Sequence, residues 1–294
     1  MLKKDMVINM KFPKGNLHTH TLFCDGRNSP EEMVCAAIES GMEVLGFSGH
    51  SYLTNCDWCM TPENTIRYRE EITRLKEKYR GKITILLGIE QDYYSDPAGE
   101  GYDFLIGSVH RIQADDGAYC QMDDSKEIVL NDVKEHFEGD IFRWTRRYYE
   151  TVAKLPEKTG CRIIGHFDLA QKYNRDKSLF DDTEPRYRKP LLDALDILLE
   201  RNLIFELNTG AMAQGYRKEP YPSAYALRWI AQKQGKVMLA SDAHDTKNLL
   251  YGFSEAAKYA KSCGIGGFVI PDTGCPGQFR TIPLGSDGSY RTKI

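Results

Sequence analysis

The sequence predicts an α/β fold, a closed barrel of seven parallel strands with helices between them and one long helical insertion. Two observations predict it. Short apolar, β-branched runs recur along the chain, each followed by a polar turn and a helical stretch. The runs lack clean alternation, as expected of strands buried on both faces.

The strands are expected at Gly15–His20, Val44–His50, Ile83–Glu90, Phe104–His110, Arg162–His166, Leu203–Asn208 and Lys236–Asp242. Ser29-Pro30-Glu31-Glu32 is a helix start, with a Ser cap, a Pro in the first position and early acids. That helix should run to Gly41. Thr61-Pro62-Glu63 opens a second, Pro190 to Arg201 forms a third, and Pro222-Ser223 leads into a fourth ending near Gly235. Apolar spacing in Gln113 to Glu157 suggests helices outside the repeat, and the Gly- and Pro-rich tail after Cys275 reads as extended chain over the barrel.

The 294 residues are 41% hydrophobic with net charge −3, enough apolar content for a core and compatible with a single domain over 1–294. Basic residues are scattered, so duplex nucleic acid is not expected as a partner. Residues 1–14 lack the apolar run of a signal peptide, and no stretch reaches membrane-span length, so a soluble cytoplasmic protein is expected. The eight cysteines form no disulfide framework. Cys35, Cys120, Cys161 and Cys263 read as reduced packing residues. Cys56 and Cys59 form a lone C-x-x-C in a loop and read as incidental thiols, with a redox or auxiliary metal role as the alternative.

Of seven histidines, six fall at or just after strand C-termini: His18 and His20, His50, His110, His166 and His244, while Glu90 ends the third strand. In parallel β/α folds the loops after those ends meet on one face. His18-x-His20 places two imidazoles on one side of an extended strand, which suits two ligands to one ion. Asp25, in Cys24-Asp25-Gly26, could swing a carboxylate over them. Glu90 closes an apolar run, where an unpaired charge would be costly. Asp242 and His244 repeat the alternating geometry at the last strand. His136 lies in the insertion and reads as an ordinary surface or core histidine.

Together these segments resemble the PHP (polymerase and histidinol phosphatase) superfamily. The resemblance rests on Asn16-Leu17-His18-Thr19-His20, Phe47-Ser48-Gly49-His50, Gly88-Ile89-Glu90, Gly107-Ser108-Val109-His110, Gly165-His166-Phe167-Asp168 and Ser241-Asp242-Ala243-His244. It implies a distorted (β/α)7 barrel of PHP type holding two or three divalent metal ions, Zn, Mn or Fe. One ion would take His18, His20, Glu90 and Asp242. A second would share Glu90 and add His110 and His166, and a third would take Asp25, His50 and His244. Such ions supply a bridging hydroxide that attacks phosphorus and neutralise the phosphoryl oxygens. Glu90, Asp242 and His244 are the catalytic candidates, with Asp242, His244 or water as proton donor to the leaving group.

The loop Gly215-Tyr216-Arg217-Lys218, continuing to Tyr221-Pro222-Ser223, is similar to the histidinol-phosphatase branch of that superfamily, where a basic residue meets the substrate phosphate. Arg217 and Lys172 are therefore the phosphate-binding candidates. The expected activity is hydrolysis of L-histidinol phosphate, a step of histidine biosynthesis. The alternatives are a phosphoesterase for nucleotides or another small phosphorylated metabolite, and a metal-binding interaction module without turnover.

Overall fold

The computed structural model describes residues 15–275 and 277–284. The segment 1–14, read above for targeting signals, lies outside the described residues, as do 285–294 of the tail.

All seven expected strands form, in shorter stretches: β1 (Gly15–Asn16), β2 (Val44–Phe47), β3 (Thr84–Asp92), β4 (Phe104–Ser108), then, after two strands of the insertion, β7 (Ile163–Ile164), β8 (Ile204–Asn208) and β9 (Lys236–Ala240). They are parallel neighbours in the order β1-β2-β3-β4-β7-β8-β9. The two edges meet. The His20 N–H donates to the Ala243 carbonyl at 2.8 Å and the Ala243 N–H to the His18 carbonyl at 3.2 Å. Thr19 stands between the two edges: its carbonyl accepts the Ser48 N–H just past β2 at 3.0 Å, while the flanking His18 and His20 bond to Ala243, which closes the barrel.

Closure also runs through one buried amide. Asn16 donates to Ser241 Oγ at 2.6 Å and to the Leu249 carbonyl at 3.0 Å. Its Oδ1 accepts the N–H groups of His18 and Ser241. With so little backbone ladder between the edges, this side chain does the work of ladder bonds.

Leu17, Val44, Ile106, Ile163, Ile204, Met238 and Val269 form one apolar cluster. Five of them lie on strands of the sheet (β2, β4, β7, β8 and β9) and Leu17 directly follows β1; they can meet only across its concave interior, so this cluster plugs the barrel. Outside, α1 (Pro30–Glu39) and α2 (Pro62–Lys78) bury Met33, Val34, Tyr68, Ile72 and Leu75 against β2 and β3. Their caps are those expected, with a full Ser29/Glu32 capping box and Thr61 accepting the Asn64 N–H.

The third helix, α6, starts earlier than expected. It spans Pro185–Glu200, so Pro185 takes the first position and Pro190 sits inside. The local sequence offers two prolines as starts, and Tyr187 buries the extra turn in the core. The fourth, α8, runs Ala224–Gln232 after Ser223. The insertion contains the expected helices, α3 (Lys126–His136), α4 (Ile141–Val152) and α5 (Leu155–Thr159). It also contains an unexpected hairpin of β5 (Arg111–Gln113) and β6 (Tyr119–Gln121). The short α7 (Gly210–Ala213) follows β8, and α9 (Phe253–Ser262) follows β9. The described part of the tail is extended, as expected: β11 (Phe279–Pro283) pairs antiparallel with β10 (Gly267–Pro271), which precedes it.

Among the described residues no helix is long and apolar enough to cross a membrane. Cys120, Cys161 and Cys263 are buried as expected, but Cys35 is exposed. Cys56 and Cys59 are joined in a disulfide, with Cα atoms 5.7 Å apart. Their reading as incidental thiols is corrected: the loop folds back so that the two side chains meet.

Replacing Asn16 with Ala should lower the unfolding free energy by about 2–3 kcal/mol, because it strands buried donors and acceptors at the barrel seam. A urea midpoint equal to that of the parent protein would show that the seam does not depend on the amide.

Candidate metal centre

Every histidine expected at a strand end points into one mouth of the barrel, around Glu90. Glu90 lies on β3, in register with Ile106 of the interior plug, so its side chain must face inward. It is 1% exposed, and no Lys or Arg is paired with it among the described residues. Imidazoles surround it instead. Oε1 lies 2.9 Å from His166 Nε2 and 3.3 Å from His110 Nε2. Oε2 lies 2.8 Å from His50 Nδ1, 3.2 Å from His18 Nε2 and 3.6 Å from His20 Nε2.

Asp242 enters from the last strand. Its Oδ1 is 3.1 Å from His20 Nε2 and 3.4 Å from His18 Nε2. The backbone adopts φ +52° there, a left-handed conformation that Asp tolerates better than most residues. A Cβ on Gly210 would come within 2.8 Å of the Asp242 Cβ, so only glycine leaves room for this bend. Asp25 closes the other side: its Oδ2 lies 3.0 Å from His244 Nε2 and 3.6 Å from His50 Nε2. The rings of His20 and His244 stack, with centroids 4.2 Å apart.

The donors form overlapping groups: His20, Asp25, His50 and His244; His18, His20 and Glu90; His50, Glu90 and His110. The residues fit divalent ions. His18 Nε2, His20 Nε2, His50 Nδ1 and Glu90 Oε2 are buried without hydrogen-bond partners, although carboxylate and ring atoms lie close together. Orphaned lone pairs converging from both ligand types are what a cation satisfies. This oxygen and nitrogen set, without thiolate, suits Zn, Mn or Fe in two or three positions.

Without ions, protons take their place. Burial disfavours charge on His18, but Asp242, Glu206 and Glu90 outweigh it and hold its pKa well above the ordinary value. His50 is raised to about 9 by Glu90 and Asp25 against the cost of burial. Burial, with His244 and His50 nearby, lowers His20 to about 3. Glu90 and Asp242 stay far below the usual carboxylate range, because the imidazoles overcome burial.

Two acids that support the cluster escaped the sequence reading. Glu206, on β8, accepts His18 Nδ1–H at 2.8 Å and the His166 N–H at 3.2 Å. Asp92, on β3, lies 3.2 Å from His110 Nδ1 and accepts the His110 N–H. Carboxylates in this position fix which ring nitrogen faces a metal. Glu206 lies inside its strand, and Asp92 ends β3 two residues past the end expected from the sequence, so neither stood at a strand end in the sequence reading.

The mouth opens into a cavity of about 560 Å³, also lined by Trp58, Gln121, Asp123, Lys172, Gln214 and Tyr221. Trp58, beside the Cys56–Cys59 disulfide, packs edge-on against His50 and His110. Lys172 donates to the Asp123 carbonyl at 2.9 Å. Arg217 is not among the residues lining the cavity. Its guanidinium donates to the Gln171 carbonyl at 3.0 Å and lies over the Tyr221 ring. His136 is remote from the mouth, paired with Asp116.

Residues 16–210 match the family model described as "PHP domain". The chain belongs to the PHP domain family. Curated relatives agree over most of its length. A Deinococcus radiodurans protein named "Probable histidinol-phosphatase" is 29% identical, covering 84% of this chain and 92% of that one. The Bacillus subtilis "Histidinol-phosphatase" is 25% identical, covering 80% of this chain and 95% of the relative. Among solved structures, the Lactococcus lactis histidinol phosphate phosphatase, complexed with zinc, L-histidinol and phosphate, superposes with a TM-score of 0.65. It is 21% identical and covers 87% of this chain and 96% of that one, a likeness of fold.

Two outcomes test the PHP centre. His50 is raised from 6.5 to about 9 in the metal-free fold, so its contribution to stability is complete below 6.5 and lost as pH rises through 9. The melting temperature of chelator-stripped protein should therefore fall across that window, and fall less after metal is restored; equal slopes would exclude proton-for-metal exchange. Glu206→Gln should weaken Zn or Mn binding by about 10–100-fold in calorimetric titration. An unchanged Kd would remove Glu206 from ligand orientation.

Proposed function

We propose that this chain is a metal-dependent phosphomonoesterase, hydrolysing L-histidinol phosphate to L-histidinol and phosphate as one PHP-type domain in the cytoplasm. The observation that carries the reading is the Glu90 carboxylate ringed by five imidazoles at the base of an open, polar cavity. The curated relatives named for this activity span the same length of chain.

Divalent ions bound there supply an activated water and neutralise phosphoryl oxygens. The protein's own part is placement. Glu90, with His18, His20, His110, His166 and Asp242, fixes one side of the centre, and Asp25, His50 and His244 fix the other. Asp242 and His244 line the cavity within 3.7 Å of each other, and His244, whose pKa is raised because Asp25 and Asp242 outweigh burial, donates the proton to the departing alcohol. Lys172, on the cavity wall, meets the phosphate as it enters. Arg217 acts from behind the wall, holding the Gln171 carbonyl and the Tyr221 ring.

Substrate choice has support in the cavity's charge. Asp57, Asp123 and Asp124 line it together with Trp58. An ammonium and an imidazole, the two groups of histidinol, find carboxylates and an aromatic face there, whereas a nucleoside offers no such cation.

The test is a panel of L-histidinol phosphate, nucleoside monophosphates and an aryl phosphate, assayed with Mn or Zn. The highest kcat/KM should fall to histidinol phosphate. Glu90→Ala should lose on the order of 100-fold or more in kcat, and Lys172→Ala should raise KM roughly tenfold through a lost charge-assisted bond. Preference for a nucleotide would overturn the substrate, and full activity in Glu90→Ala would overturn the mechanism.

A further inference from the structure

A second set of metal-ligating side chains converges in the insertion, behind the cavity wall. Cys120 lies on β6, and α3 packs across it, presenting Asp132 and His136 one turn apart on the facing side. One donor atom from each of the three residues lies within 4.8 Å of the others. Ligands around a tetrahedral zinc stand roughly 3.3–3.8 Å apart for bonds of about 2.0–2.3 Å. Small rotations of the Asp132 and His136 side chains cover that difference.

The surroundings are those of a built site. Cys120 is fully buried, while Asp132 and His136 are partly open to solvent and leave a path of entry. Asp116, from the hairpin turn, lies 2.8 Å from His136 Nδ1, the kind of carboxylate that orients a ligating ring. Asp132 faces the thiol and the imidazole, and its Oδ2 accepts the Gln121 N–H at 3.2 Å.

We propose that Cys120, Asp132 and His136 bind one transition-metal ion of the zinc class, at a structural site separate from the barrel centre. Thiolate, imidazole and carboxylate together select such an ion over magnesium or calcium, which prefer all-oxygen shells. The site ties α3 to the strand that walls the cavity. Gln121 lines the cavity, and the next residue, Met122, donates its N–H to the His110 carbonyl at 2.9 Å. An ion here therefore holds the wall on which the barrel centre depends, without touching substrate. His136, unremarkable in the sequence, gains a partner that only the hairpin could bring.

Cobalt(II) tests this on the full-length protein, because thiolate ligation gives a charge-transfer absorption that imidazole and carboxylate do not. Chelator-stripped protein titrated with Co(II) should develop that band. Cys120→Ser should abolish it. Cys24→Ser should retain it, which matters because Cys24 Sγ lies 3.6 Å from His20 Nδ1 and is the rival thiol. Asp132→Asn and His136→Ala, at partly exposed positions, should each weaken the titration at least about tenfold, and they decide the question even if Cys120→Ser fails to fold. Absence of the band in the parent protein, its survival in Cys120→Ser, or its indifference to both Asp132→Asn and His136→Ala would overturn the proposal.

Discussion

The architecture turns on a single buried carboxylate. Glu90 stands inside the barrel, on a strand whose neighbours are Ile, Leu and Gly, and almost no solvent reaches it. An isolated carboxylate there would be prohibitively unfavourable. Five imidazoles surround it, and they cannot satisfy it as neutral rings with every lone pair aimed inward. Either protons or metal ions must fill the space between. The raised pKa values of His18, His50 and His110 and the depressed one of Glu90 record the first solution. Divalent ions are the second, and they convert an electrostatic burden into a hydrolytic centre.

That centre needs a closed sheet. His18 and His20 come from the first strand and Asp242 and His244 from the last, so their meeting depends on the seam where those edges join. The seam has few backbone bonds, and the Asn16 amide supplements them. The chain after β1 is bonded to Ser48 on one side and to Ala243 on the other, which carries the two histidines over the mouth. The left-handed backbone of Asp242 and the bare Cα of Gly210 belong to the same junction. Local strain at the site is thus held by the surrounding barrel.

The insertion supplies what a bare barrel lacks. Its hairpin and following loop bring Gln121, Asp123 and Asp124 to the cavity, opposite the disulfide-bearing loop that carries Trp58. A small metabolite entering the mouth would meet a basic side chain, several acids and an indole at different points of the wall. Differences in substrate among proteins sharing this metal centre are most simply placed in these loops, because the ligands themselves leave little freedom.

The sequence by itself determined the seven strands and their parallel β/α repeat, the helix caps at Ser29 and Thr61, and the metal-ligand candidates. These follow from local rules, since apolar runs, capping residues and positions at strand ends are all written in consecutive residues. Tertiary structure alone decided the rest. Glu206 became a partner of His18 only because barrel closure brings β8 near the first strand, and Asp92 a partner of His110 through the pairing of β3 with β4. Cys56 met Cys59 through a fold of the loop, and Pro190 entered a helix because Tyr187 could bury the turn before it. Arg217 was drawn behind the wall by the Gln171 carbonyl, and His136 came beside Cys120 through packing of the hairpin on α3. Each of these depends on distances between residues far apart in the chain or on competition among nearby partners, and neither is encoded in any single stretch of sequence.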